Sequence, residues 1–297
     1  MAAAWCLNLW AEHELAAPGR TPPRRVLDAS ARFAVRAETL MAPGDVRVEA
    51  LEQAASDVTA GAHRPPARDR VGRAWCVTPT AVARLRAAGV RLPAMPSFEA
   101  VRAVNDRALQ RSLPGGHADG ELVTDEARLR GKLAAGGRWR AKPRFGMAGR
   151  GQRTLDAGRL DAADERWLLP RVTTTGVWLE RELDVRAEYA LHLCFGPGHA
   201  RVARVCRQRC DAHGQWRSSA AVDEVPGLHP RDRDAAVRAV FDAAERADYF
   251  GPIGVDVLVY DDGSGRSSVY VGSDVQGRFT MGWNGGEPVC ASCACGL

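Results

Sequence analysis

Apolar and polar residues alternate with a period of two in several stretches, and these give the chain its frame. Trp139 and Ala141 alternate with Arg140 and Lys142, as in a strand. Pro143 cannot donate to a ladder, so the strand stops there or lies at an edge. Residues 177–183 read as a second strand. Residues 185–195 alternate more cleanly. Val185, Ala187, Tyr189, Leu191, Leu193 and Phe195 make one face; Arg186, Glu188, Ala190, His192 and Cys194 make the other. Gly196-Pro197-Gly198 turns the chain into a partner strand through Arg209, and Asp211-Ala212-His213-Gly214 turns it again. Residues 255–260 and 267–276 form a final antiparallel hairpin about Asp261-Asp262-Gly263-Ser264-Gly265.

Helical spacing fills the intervals. Thr78 caps a helix with Pro79 at its first position, Val82 and Leu85 on one face and Gly89 as its stop. Val104-Asn105-Asp106-Arg107 opens a short helix before Pro114. Thr124 caps another, with Asp125 and Glu126 in its first turn and Gly136-Gly137 at its end. Val237, Val240, Phe241 and Ala244 form the buried stripe of a helix that opens at Pro230 and Asp232. Residues 4–10 read as the first strand of a small leading domain, residues 1–97, in which the pattern marks no chemistry.

Two stretches carry candidate chemistry. The strand at Lys142-Pro143 runs into Gly146, Gly149 and Gly151, a loop of little bulk able to show several backbone N–H groups to one anion. Arg138, Arg140, Lys142, Arg144 and Arg150 surround it. Of 41 basic residues only Lys132 and Lys142 are lysines, so a compact point charge at the loop is informative. The order of residues fits neither GxxxxGK[ST] nor GxGxxG. In the closing hairpin, Asp256 is the only charge in an apolar strand, and Asp274 and Gln276 share one face of the opposing strand. The turn brings Asp274 near Asp256, in a register the sequence does not give. Such oxygen ligands suit a hard cation and leave positions for phosphate. On the partner strand, Arg207 and Arg209 share a face. Either, Arg209 foremost, offers a bidentate fork to a terminal phosphate or a substrate carboxylate; either equally suits solvent.

Totals narrow the field. The chain has 297 residues, 45% hydrophobic and 26% charged, ordinary for a globular protein. A net charge of +5, spread-out arginine and 6% aromatics make a weak nucleic-acid footprint, and polyanionic small molecules fit as well. The first residues lack a basic leader, and no run approaches a membrane span; the expectation is a cytoplasmic protein with reduced thiols and no membrane partner. Cys290, Cys293 and Cys295 supply three soft ligands without a fixed fourth, and read as a thiol-bearing tail.

Taken in order, Lys142-Pro143 with its glycine loop, an acidic strand at 177–183, Glu188, Gly254-Val255-Asp256 and the Asp274/Gln276/Arg278 hairpin resemble the ATP-grasp superfamily, of the carboxylate–amine ligase type. The resemblance covers roughly residues 104–282. It implies an α+β / α/β chain with two α+β lobes sandwiching ATP: a central lobe at 98–178 and a C-terminal lobe at 179–297, after the small α/β leading domain. By the same resemblance, Arg107, Lys142, Gly146, Gly149 and Gly151 meet the phosphates. Glu180, Arg181, Glu182 and Leu183 form the interlobe hinge at the adenine edge, with Glu180 receiving the exocyclic amine, and Glu188 meets the ribose. Asp256, Asp274 and Gln276 hold magnesium, with manganese as the alternative, and Arg278 meets the acyl phosphate or carboxylate. The family's usual Glu-x-Asn is here Asp-x-Gln, and Arg107 stands where many members have lysine. The implied partners are ATP, a small carboxylate and an amine acceptor. A degenerate module that binds nucleotide or a partner without ligation is the alternative; the oligomeric state is open.

Overall fold

The computed structural model describes residues 2–20, 22–56, 67–114, 119–146, 149, 151–196, 199–211 and 216–283. The Cys290, Cys293 and Cys295 tail, the 212–214 turn and Arg150 lie outside them. Three sheets follow one another along the chain. The first holds β1 (Ala3–Cys6), β2 (Val46–Arg47) and β3 (Val71–Ala74) in the order β2-β1-β3, all parallel. Between these strands run α1 (Ala11–Ala16), α2 (Arg24–Ala37) and α3 (Val48–Ser56). After them comes α4 (Pro79–Ala87), whose start is the expected cap: Thr78 Oγ1 accepts from Ala81 N at 3.4 Å.

A helix not anticipated from the pattern, α5 (Phe98–Val104), follows and is capped by Ser97. Asp106 then caps a 3-10 turn, Arg107–Ser112, where a short helix was expected from residue 104. The second sheet is antiparallel, in the order β4-β7-β5-β6, from β4 (Glu121–Val123), β5 (Arg138–Pro143), β6 (Arg153–Asp156) and β7 (Val177–Arg181). It carries α6 (Glu126–Leu133) and α7 (Ala162–Thr174). Asp125, not Thr124, caps α6, because its carboxylate accepts from Arg128 N at 2.7 Å.

The third sheet has five antiparallel strands, β8 (Asp184–Gly196), β9 (His199–Cys210), β10 (Trp216–Val222), β11 (Gly251–Asp261) and β12 (Ser267–Gln276), in the order β10-β9-β8-β11-β12. α8 (Pro230–Arg246) covers it with the predicted stripe, Val237, Val240, Phe241 and Ala244 all being buried. One apolar cluster joins this sheet to the leading segment: Trp5, Leu9 and Leu15 share it with Leu191, Ile253, Val255 and Phe279. A separate cluster fills the space between the four-stranded sheet and its two helices. The leading residues thus share the larger cluster with the third sheet and hold a second, smaller one of their own around Cys6, Leu51, Ala81 and Leu85, while the four-stranded sheet keeps a separate core. Among the described residues no helix is long and apolar enough to cross a membrane.

Candidate active site

The ends of β5 and β7 face the β8–β12 sheet across an open cleft with a cavity volume of about 140 Å³. Lys142 lies on one wall and Asp256 and Asp274 on the other. Lys142 is 6% exposed; Nζ pairs with Glu180 Oε1 at 2.6 Å and donates to Ser273 O at 3.0 Å. Its third N–H has no acceptor among the described residues.

The register of the hairpin, open in the sequence, sets Asp256 directly opposite Asp274 and Gly254 opposite Gln276. A bulge follows, after which Val257 pairs with Val271. Gly272, at φ +87°, makes this bend, and a Cβ there would lie 2.5 Å from Leu113 Cδ1. The bulge presents Ser273 O to both Lys142 and Gln110, the latter at 2.9 Å. One backbone irregularity thus aligns the two aspartates and anchors the lysine of the opposite lobe.

Asp256 accepts from Gln208 Nε2 at 2.9 Å and from Gln276 Nε2 at 3.2 Å. Burial, and then the Asp274 charge, push its carboxyl well above the usual carboxylate range. A bound cation would relieve that repulsion, so the two aspartates fit a hard divalent ion. Gln276 does not fit as it stands. Its Oε1 accepts from Arg278 Nη2 at 3.1 Å, and its N–H group points at both carboxylates. To offer an oxygen to a metal, the amide must turn over and leave Arg278 facing an N–H.

Several other expected roles meet a different geometry. Arg107 is buried behind Asp274, away from the cleft lining: Nη2 pairs with Asp274 Oδ2 at 2.8 Å and Nη1 donates to Pro143 O. Arg278 is 2% exposed and ties together Asn105 Oδ1 (2.7 Å), Gln276 and Glu12 (3.2 Å) beneath the cleft. Glu180 turns its carboxylate to Lys142 and to Trp178 Nε1 (2.6 Å), so it is not pointed at an adenine amine. Arg209 is exposed on the far face of β9. Gln208 and Cys210, one residue either side, face the cleft, where Cys210 Sγ donates to Glu188 Oε2 at 3.0 Å.

Segment 180–183 forms the wall at one end of the cleft, with the Arg181 guanidinium 4.1 Å above the Trp139 ring. Glu182 pairs with Arg140. Glu188 and Gly149 line the cleft, while Gly146 sits against Arg107, whose Nη1 would lie 2.8 Å from an added Cβ. Gly151, at φ +70°, lies beside Pro143. Sequence reasoning missed Gln208 and, from the leading residues, Trp75, which lines the cleft together with Trp216, Thr280 and Met281, whereas Arg140, expected beside the glycine loop, lines it as well. The parity of Gln208 with Glu188 depended on a strand register, and Trp75 carried no motif. His192, on the polar face of β8, is fully buried and stacks on Trp283 at 5.1 Å; it belongs to the packing.

No protein-family model and no curated protein match the chain in sequence. Solved structures do match. The chain is similar to N5-carboxyaminoimidazole ribonucleotide synthetase from Thermus thermophilus, with a TM-score of 0.51 and 17% identity over 94% of this chain and 72% of that one. Biotin carboxylase from Campylobacter jejuni, solved as a β,γ-ATP complex, gives 0.54 and 13% over 80% and 55%. The biotin carboxylase domain of Hydrogenobacter thermophilus 2-oxoglutarate carboxylase, solved with MgADP, ADP and bicarbonate, gives 0.54 and 12% over 84% and 57%. The first two matched structures are covered over only 54% and 55% of their own length. At these identities the likeness is one of fold, and the fold is ATP-grasp.

Proposed function

We propose that the chain is an ATP-dependent ligase that joins a small carboxylate to an amine. The observation that carries this reading is the shared cleft: the lysine at the tip of β5 and the paired aspartates of β11 and β12 line the same space. In this reading ATP lies between the two sheets, with adenine toward residues 180–183 and ribose toward Glu188. Lys142 and the glycine-loop amides hold the phosphates. Asp256 and Asp274 would hold magnesium, which when bound would supply positive charge to the transferring phosphoryl group. A substrate carboxylate oxygen attacks the γ-phosphorus and ADP leaves. The amine then attacks the acyl carbon, loses its proton to solvent and expels phosphate, leaving an amide. Positioning and fixed charge suffice for these steps, and no covalent enzyme intermediate is needed.

A second reading has its own support. The Gln276 amide donates to the carboxylates and Arg107 occupies Asp274, so a module that binds nucleotide without turnover also fits. Incubation with MgATP and pools of amino acids or small carboxylic acids, followed by ADP and new masses, separates the two. The ligase reading expects substrate-dependent ADP release that falls at least about 100-fold in Asp256→Asn and in Lys142→Ala. Nucleotide binding by calorimetry with no ADP release from any pool would leave the module. Unchanged turnover in either variant would remove that residue from the mechanism.

A further inference from the structure

We propose that Arg107 is a fixed cation standing in for a second divalent ion, so that the cleft takes a single divalent ion with its nucleotide. The inference rests on the nucleotide reading above and concerns how the chain balances charge there. Arg107 has a side chain 2% exposed, pinned from two sides by Asp274 Oδ2 and by the Pro143 carbonyl. Gly146 leaves room for that guanidinium, because a Cβ at this position would crowd Nη1.

The oxygens of the hairpin are largely spoken for. Asp274 Oδ2 accepts from Arg107 at 2.8 Å and from Gln276 at 3.5 Å. Asp256 Oδ1 accepts from Gln208 and Oδ2 from Gln276. Of these four carboxylate oxygens, only Asp274 Oδ1 accepts no hydrogen bond from the described residues. Asp274 Oδ1 and the remaining lone pairs of Asp256 are thus the positions that would be left to a cation. An ion on Asp274 Oδ2 would lie against a guanidinium in a buried, weakly screened setting, where like charges repel strongly.

The charge balance agrees. Lys142 pairs with Glu180, Arg140 with Glu182 and Arg107 with Asp274. Asp256 is the carboxylate of the hairpin that makes no ion pair among the described residues, and the Lys142 charge that acts on it is already paired with Glu180. One divalent ion supplies what it lacks; a second finds its place already taken.

The test counts manganese by electron paramagnetic resonance on the full chain, saturated with a non-hydrolysable ATP analogue. The expected result is one Mn²⁺ per chain, with no dipolar broadening from a neighbouring ion. Arg107→Met should admit a second ion and bring in that broadening. Arg107→Lys, which keeps the charge, should stay at one. If the methionine variant fails to fold, the wild-type and lysine counts still decide. Two ions on the wild type, none, or an unchanged count of one in a folded Arg107→Met protein each overturn the proposal. Calorimetry of the analogue keeps the two readings apart. Analogue bound with two ions sinks this inference alone, whereas no binding of the analogue sinks the nucleotide reading and this one with it.

Discussion

His192 illustrates how burial changes what a residue type can do. On the strand pattern it stands beside Glu188 on the polar face, yet the fold closes Trp283 over its ring and sets Thr280 Oγ1 3.1 Å from Nε2. Burial, and then Arg204, push its pKa down to about 3. Because the folded state resists protonation and the unfolded state does not, the unfolded chain binds the extra proton below about pH 6.5. Stability from this site is therefore intact above that pH and declines as pH falls toward 3, by about 1.4 kcal/mol per pH unit. Denaturant titrations between pH 6 and pH 4 should show a shallower pH slope in His192→Phe than in the wild type. Equal slopes would mean that the ring titrates freely. Buried thiols follow the same logic: Cys6 and Cys76 are both pushed up to about 12 by burial, so neither is a reactive thiolate at neutral pH.

At the scale of elements, the β11–β12 hairpin carries the paired aspartates, and its bulge decides their alignment. A regular ladder continued from Val257 opposite Val271 would pair Asp256 with Gly272. The bulge inserts two residues and delivers Asp274 instead. Gly272→Ala places a side chain at positive φ and drives its Cβ into Leu113. The expected cost is about 2 kcal/mol, measured by chemical denaturation, with weakened Mn²⁺ binding as the aspartates slip out of register. Full stability together with unaltered metal binding would show that the bulge tolerates a Cβ and does not set the alignment. The first strand of this hairpin runs from Gly251 to Asp261, longer than the expected 255–260, but the turn and the second strand were legible because they depend on local alternation and turn residues. The bulge was not, since a glycine among Val271, Ser273 and Asp274 reads equally well as a regular strand position.

At the scale of the whole molecule, the leading unit and the C-terminal lobe share one core. Phe279 packs edge-on against Trp5 at 5.1 Å, its N–H donates to Trp75 O at 3.1 Å, and Arg278 beside it reaches Glu12. The cleft is thus lined in part by Trp75, just beyond the first sheet, in a segment that the sequence pattern left without chemistry. Phe279→Ala removes a buried aromatic from this joint and should cost about 3–5 kcal/mol. Thermal unfolding of the variant should stay a single transition for these two parts, followed by tryptophan fluorescence and far-UV circular dichroism together. An early, separate melt of the leading residues would show that their own smaller cluster, around Cys6, Leu51 and Leu85, melts independently of the shared one.

α5 was not legible, and the face of β8 expected to be polar is buried at Ala190, His192 and Cys194, but the strand β8 itself, the stripe of α8 and the presence of a lysine-tipped strand and an aspartate hairpin were fixed locally. Each follows from a period of two, a three-four spacing, a cap or a glycine, and none needs a distant partner. Tertiary structure decided which of these residues face one another. It turned Arg209 outward and Gln208 inward, committed Arg107 to Asp274 and Arg278 to a buried junction, and brought Trp75 to the cleft. Those outcomes depend on strand register and on the pairing of charges far apart in the chain. A buried charge takes whatever opposite charge the fold brings within reach, and the order of residues along the chain does not say which one that will be.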